Sequence, residues 1–436
     1  MAQSPAKDRE IPGNFGACVP QFRLQGLLKI ISKRCVRVWH LLICGNTSDR
    51  CPCVSVTAVC RNRNAISAPA LLIEGPSGTM NSSTLTGIPA GARQGVSASG
   101  GASGPSDSSS GLAVSCQCSL GFVDLLRRLR ISLLLTSGRS GLLMAIGVQD
   151  HQLSLTMLHQ QHPAGIAAEA ARIAVAVKGQ VQIYSSPAAA FAGHLKRSAF
   201  ATSQKLEFRV QRSHTTGTPA SPAVAWGHDG LWVVNSPCSC LTLLTDSGES
   251  FNRWKPAFIS STRDEDRCHL TGLAMHFGRP RYVTALSASD QPEGWRSEPY
   301  GSGVVIDVAT GEVVIEGLVV PRSPRIQDDR LFLLQSWIGQ LSVVNSGSGK
   351  VDCVESLPGY ANGMDCCGDY AFVGLSRVCD ADLAAAGRSI VRDDLACGIA
   401  AVNLRTGRAE EALNFLTGID QLSDLAVLPA WAPAML

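Results

Sequence analysis

Six short β-rich runs recur from residue 121 onward, and their spacing constrains the fold more than any other feature of the chain. Three are close copies: Leu133-Leu134-Leu135-Thr136-Ser137, Leu231-Trp232-Val233-Val234-Asn235-Ser236 and Leu331-Phe332-Leu333-Leu334-Gln335-Ser336. Each is followed within a few residues by a second apolar run, starting at Leu142, Leu241 or Leu341, so each reads as a hairpin. Looser copies start at Ile173, Tyr282 and Tyr370. The intervals Leu134 to Ile173, Ile173 to Trp232, Trp232 to Tyr282, Tyr282 to Phe332 and Phe332 to Phe372 are 39, 59, 50, 50 and 40 residues. A repeat of about 40–50 residues is the length of one four-stranded propeller blade. No helical pattern interrupts the runs, which favours radial repetition over a sandwich.

A second recurrent signal supports the hairpins. Asp307-Val308-Ala309-Thr310-Gly311, Asn345-Ser346-Gly347-Ser348-Gly349 and Asn403-Leu404-Arg405-Thr406-Gly407 each end one apolar run and begin another. Asp or Asn opens such a turn by bonding the backbone just ahead of it, and Gly closes it at positive φ. The expected fold is therefore an all-β propeller of about six blades over residues 119–430. The run 424–428 is too short for a blade, and the strands in 132–146 lack a preceding partner, so together they are expected to close the ring. The long spacers 185–213 and 378–395 read as insertions, the second with a short helix over 381–390.

Residues 1–118 have a different texture. They hold eight of the sixteen cysteines and a Ser/Gly/Ala stretch over 82–110 that buries too little apolar surface to offset its ordering entropy. This part is expected to be a largely disordered extension. Cys35, Cys44, Cys51, Cys53 and Cys60 contain no CxxC pair and have no histidine at finger-like spacing, so no metal is assigned to them. The first twenty residues have no secretory pattern, and the apolar segment 24–44 is broken by Lys29, Lys33, Arg34 and Arg37. A reduced, cytoplasmic protein with no membrane partner is expected. The net charge of +3 is small for 436 residues, and Lys and Arg form no long blocks, so no nucleic-acid partner is expected either.

Chemistry-bearing residues concentrate between Trp254 and His269, where Lys255, Asp266, Arg267, Cys268 and His269 share one connection between strands. Asp266 and His269 could bind metal or act as acid and base, and Cys268 could serve as a nucleophile beside a charged imidazole. Adjacent strand residues point to opposite faces, so Cys268 and His269 cannot share a target unless the backbone turns between them. The plainer alternative puts Cys268 in the core, Arg267 on Asp266, and His269 against a neighbouring blade. Arg296 and Arg325 could meet near the central channel and hold a carboxylate or phosphate, or form ion pairs between blades. His228-Asp229-Gly230 reads as a turn, and the Cys238/Cys240 spacing is a weak metal signal. Nucleotide-loop, zinc-helix and hydrolase-elbow patterns are absent.

Several of these segments occur together in one order: Trp226-Gly227-His228-Asp229-Gly230-Leu231-Trp232, Asp266-Arg267-Cys268-His269-Leu270, Arg281-Tyr282-Val283-Thr284-Ala285-Leu286, Gly294-Trp295-Arg296, Ser323-Pro324-Arg325 and Tyr370-Ala371-Phe372-Val373-Gly374-Leu375-Ser376. In this the chain resembles an uncharacterised bacterial family of conserved hypothetical proteins defined by a domain of unknown function. The resemblance runs from about residue 121 to 429 and implies a propeller-like domain without an assigned activity. The chain departs from the family pattern at three places: Pro222 and Ala223 replace a His-Asp pair, Thr271 replaces an Asn, and Arg322 replaces a His.

Three functions remain open on the sequence. The first is a propeller that binds a small anionic molecule or peptide at its central channel or top face through Arg267, His269, Arg296 and Arg325. The second is a metal-assisted or His-based hydrolase or lyase, with His269 as base and Asp266 orienting it. The third is a protein-interaction scaffold working through its blade loops. Fold by itself selects none of them, and no cofactor follows from the residues.

Overall fold

The computed structural model describes residues 54–60, 71–74, 112–186, 206–216, 223–345, 349–377, 395–429 and 434–435. They form a six-bladed β-propeller. Blade 1 pairs Asp424–Leu428 with Ser132–Ser137, Leu142–Gln149 and Gln152–His159. Blade 2 runs Ile166–Ala168, Arg172–Val177, Gln180–Ser185 and Arg209–Thr215. Blades 3, 4 and 5 begin at Val224–Gly227, Leu270–His276 and Pro321–Gln327, each continuing through three further antiparallel strands in chain order. Blade 6 starts at Tyr360–Cys367 and ends at Arg408–Thr417. The first strands of successive blades touch one another around the whole ring and line its axis.

All six repeated runs become the second strand of their blade: Ser132–Ser137, Arg172–Val177, Gly230–Asn235, Arg279–Ala285, Arg330–Gln335 and Tyr370–Ser376. Their composition follows from that position. A second strand is covered on both faces, so alternate side chains enter the apolar layers on its two sides. In blade 1, Leu133 and Leu135 pack towards blade 6, whereas Leu134 packs towards blade 2. Equivalent layers fill the remaining blade boundaries. An alternating polar pattern would have left half of each layer empty, which is why the runs are continuously apolar.

Ring closure occurs as expected, with Asp424–Leu428 pairing antiparallel to Ser132–Ser137 from the opposite end of the domain. The turns also form as expected. Gly311, Gly349 and Gly407 have φ of 75°, 65° and 67°, and their N–H groups donate to the carbonyls of Asp307, Asn345 and Asn403. The Asp307 carboxylate also accepts Ala309 N–H at 2.8 Å, and the Asn403 side chain accepts Arg405 N–H at 2.9 Å.

The outer edge of blade 6 differs from the expectation. Leu112–Cys118, inside the stretch read as an extension, pairs with Arg408–Thr417 as a fifth strand, and Val54–Cys60 and Leu71–Glu74 extend the same sheet. The helix Leu120–Leu129 follows, burying Phe122, Val123, Leu125 and Leu126 in the layer between blades 6 and 1. The low charge of Leu-Ala-Val-Ser-Cys-Gln-Cys was the available signal. The expected helix over 381–390, the 82–110 stretch, and Cys35, Cys44, Cys51 and Cys53 lie outside the described residues.

Candidate top-face site

We call the top face the side on which the innermost strands begin. Antiparallel connection places two sets of loops there: those joining successive blades, and those joining the second and third strands of each blade. Residues 255–269 form one such loop, ahead of Leu270–His276, and 286–302 form the other in blade 4. The two are tied together. Ser260 N–H donates to Asp290 Oδ1 at 2.8 Å, Glu293 N–H to the Glu265 carbonyl at 2.8 Å, and Leu286 N–H to the Cys268 carbonyl at 3.1 Å. Asp266 N–H reaches the Pro237 carbonyl of blade 3 at 2.8 Å.

Within this frame Asp266 and His269 meet. Their φ values are 41° and 52°, left-handed conformations that Asp and His adopt more readily than most residues. The backbone thus turns where the strand rule required it to. Cys268 drops fully into the core between blades 3 and 4, and His269 swings back to Asp266 with 2.8 Å between Nδ1 and Oδ2. The same oxygen accepts the indole N–H of Trp295 at 2.8 Å. The Trp295 ring is completely buried and its centroid lies 4.4 Å from that of the imidazole. The second carboxylate oxygen, Oδ1, is buried with no hydrogen-bond partner among the described residues. His269 Nε2 makes no hydrogen bond to the described residues either.

The three arginines named from the sequence take separate positions. Arg267 is a clamp: its guanidinium pairs with Glu265 at 2.6 Å and with Asp290 at 3.0 Å, and also meets the Asp290 carbonyl. Its hydrogen bond to Glu265 raises its proton affinity, while Ser260 first and Arg267 next hold the Asp290 carboxyl below its ordinary value. Arg267 therefore bonds to its own loops and not to Asp266. Arg296 lies over the Trp295 ring, 4.3 Å from its centroid, with Glu293 at a looser 3.6 Å. Arg325 stands on the innermost strand of blade 5, with Nε 3.4 Å from Asp365 Oδ1 of blade 6. Arg296 and Arg325 thus have different partners on different elements. Thr271 ties blade 4 to blade 5, donating to the Pro321 carbonyl at 2.6 Å. His228 and Asp229 form the expected turn, and Asp229 accepts the Trp232 indole N–H at 2.9 Å.

Residues 120–436 match the family described as a domain of unknown function, DUF4915. The chain belongs to that family. No curated protein is similar to it at the sequence level. Among solved structures, the DUF4915 chain is similar to a chain of the nidogen/laminin complex at 12% identity and a TM-score of 0.45, over 69% of this chain and 99% of that one. It is also similar to a catalytically inactive virginiamycin B lyase from Staphylococcus aureus with quinupristin, at 10% identity and a TM-score of 0.34, over 56% and 73% of the two chains. Neither likeness bears on function.

Two further acids near the axis escaped the sequence reading. Asp365 Oδ2 accepts Val427 N–H of blade 1 at 2.8 Å, and Asp424 Oδ2 accepts Ile166 N–H of blade 2 at 3.0 Å. Each carboxylate latches the next innermost strand of the DUF4915 ring. The only signal was a charged residue on a strand expected to be covered. Burial raises the Asp424 pKa to about 6, against an opposing pull from Arg325. Its ordinary value is about 4. The folded state therefore binds this proton more tightly than the unfolded chain, and stability from Asp424 is fully present below about pH 4 and lost as pH rises through about 6. Asp424→Asn should remove that slope from the urea midpoint measured across the interval. Parallel profiles for the two proteins would mean that Asp424 does not titrate there.

The nine cysteines from Cys116 to Cys397 among the described residues are free thiols. Burial pushes Cys268, Cys116, Cys366 and Cys397 up to about 12, which withholds the thiolate needed for reaction. Iodoacetamide added to the native protein should label the exposed Cys353 and spare Cys268, as read by peptide mass spectrometry. Prompt native labelling of Cys268 would restore it as a nucleophile candidate. Among the described residues no three of His, Cys, Asp and Glu are grouped to hold a metal ion, and no helix is long and apolar enough to cross a membrane. A groove of about 640 Å³ opens between the outer strands of blades 4 and 5, lined in part by Val314, Glu316, Lys350 and Asp352, and none of the candidate residues lines it.

Proposed function

We propose that the top face of this propeller binds a small anionic molecule beside His269. One observation carries the reading: an imidazole anchored through Nδ1 to Asp266 leaves Nε2 without a hydrogen bond among the described residues, and the Arg296 guanidinium lies against the same indole that packs on that imidazole. A guanidinium and an imidazole are both groups that bind anionic ligands. Arg267 serves this reading as the frame of the loop, since Glu265 and Asp290 occupy its fork. Arg325 contributes positive charge towards the axis from its place beside Asp365. The free thiols agree with a reducing, cytoplasmic location.

The test is a thermal-shift screen of phosphate and small carboxylates on the full chain, with Arg296→Ala and His269→Ala in parallel. Stabilisation of the wild type that falls at least about tenfold in affinity in Arg296→Ala, a change of about 1.4 kcal/mol, is the expected result. Equal stabilisation of all three proteins would place any anion elsewhere.

The Asp266–His269 distance of 2.8 Å favours a second reading, in which His269 transfers a proton in a hydrolase or lyase reaction. A carboxylate that orients an imidazole serves both readings. Turnover of an ester or lactone that disappears in His269→Ala while folding is unchanged would select the second.

A further inference from the structure

The hydrogen-bond pattern around Asp266 determines which atom of His269 carries the proton. Trp295 Nε1–H is an obligate donor, and it donates to Asp266 Oδ2 at 2.8 Å. As a carboxylate oxygen, Oδ2 has no proton to give, so His269 Nδ1, also 2.8 Å from it, is held there only as N–H. In the neutral ring the remaining nitrogen, Nε2, then has a bare lone pair, and no described residue donates to it. We infer that Trp295 and Asp266 hold neutral His269 as the Nδ1–H tautomer, so that Nε2 meets the ligand as an acceptor and the ligand group beside it is a hydroxyl.

This deepens the binding reading above and rests on it for the ligand's position. The expected ligand class is a small anion that also bears a hydroxyl, its charge towards Arg296 and its O–H donated to Nε2. Trp295 is a positioning residue in this arrangement: it touches no ligand and acts by holding Asp266 Oδ2, which as a carboxylate oxygen can only accept, in place beside His269 Nδ1. It does so even where the carboxylate is replaced. In Asp266→Asn the amide must still turn its oxygen to the indole N–H, and that oxygen continues to require N–H at His269 Nδ1. Only when Trp295→Phe is added can the amide turn its NH2 to Nδ1 and shift the proton to Nε2.

Long-range proton–nitrogen correlation spectra of His269, at a pH above the ordinary imidazole range, test the tautomer without any ligand. Wild type and Asp266→Asn are expected to show a protonated Nδ1 and a bare Nε2, and the Asp266→Asn/Trp295→Phe double variant a protonated Nε2. A protonated Nε2 in the neutral wild-type ring overturns the inference, and the same tautomer in all three proteins removes Trp295 from its positioning role. Thermal shifts with glycolate and acetate test the ligand class. Preferential stabilisation by glycolate, lost in His269→Ala, is expected. Equal shifts with both anions overturn the hydroxyl assignment and leave anion binding standing. No shift with either overturns the hydroxyl assignment and counts against the anion reading as well, whatever the spectra show.

Discussion

Replacing Gly363 by valine is expected to keep the ring from closing. Gly363 interrupts the innermost strand of blade 6 with φ of 73°, at an irregularity in pairing between Ala361 and Met364. A Cβ at this position would lie 2.4 Å from the backbone nitrogen of Leu425 and 2.6 Å from the carbonyl carbon of Asp424. Both atoms belong to the backbone that closes blade 1, so no side-chain rotation relieves the contact. Positive φ adds its own cost, which is severe for a β-branched residue. A loss above about 4 kcal/mol is expected, seen as little soluble protein or a collapsed urea midpoint. Gly179→Ala separates the two causes: Gly179 has φ of 75° and nothing within 4 Å of a new Cβ, so it should lose only about 1–2 kcal/mol. Comparable losses in the two variants would show that strain, and not contact with the closing strand, dominates at Gly363.

Trp295→Ala carries the second large effect. The indole is fully buried among Leu286, Val320, Trp337, Tyr360 and Leu395, where the top-face loops of blades 4, 5 and 6 converge. Removing a buried aromatic of this size costs about 3–5 kcal/mol. The variant also deprives Asp266 of a donor when its other oxygen has none among the described residues. Trp295→Phe restores much of the volume without the N–H. It should recover most of the stability and remain short of wild type by about 1.5–3 kcal/mol, the range for a hydrogen bond to a charged group. Urea denaturation of the three proteins measures this. A phenylalanine variant as stable as wild type would mean that the indole bond to Asp266 contributes nothing to stability.

The candidate site was legible in the sequence to unequal degrees. Asp266 and His269 stood out because acid, base, thiol and imidazole crowd one loop, and their types tolerate the left-handed backbone that brings them together. Arg267 stood out equally and was expected to meet a ligand, yet Glu265 and Asp290 take its whole fork. Glu265 was two residues away, but Asp290 reaches it from another loop, across 23 positions that no local pattern links. Trp295 was visible only as part of a family segment. Its role as the shared donor to Asp266 depends on a contact 29 residues distant. Asp365 and Asp424 gave the weakest signal of all, single acids in short apolar strands.

What the sequence determined alone was periodic and local. Repeated Leu, Val and Phe at blade spacing specify strands covered on both faces, and Asx-to-Gly segments specify the turns between them, because both follow from side-chain period and backbone conformation within a few residues. Tertiary structure decided which end met which. The pairing of Leu112–Cys118 with Arg408–Thr417, the latch from Asp424 to Ile166, and the convergence of Trp295, Asp266 and His269 all join residues whose separation along the chain says nothing about their distance in space. The ring brings them together because each blade must cover its neighbour's apolar face, and the last blade has only the first to cover.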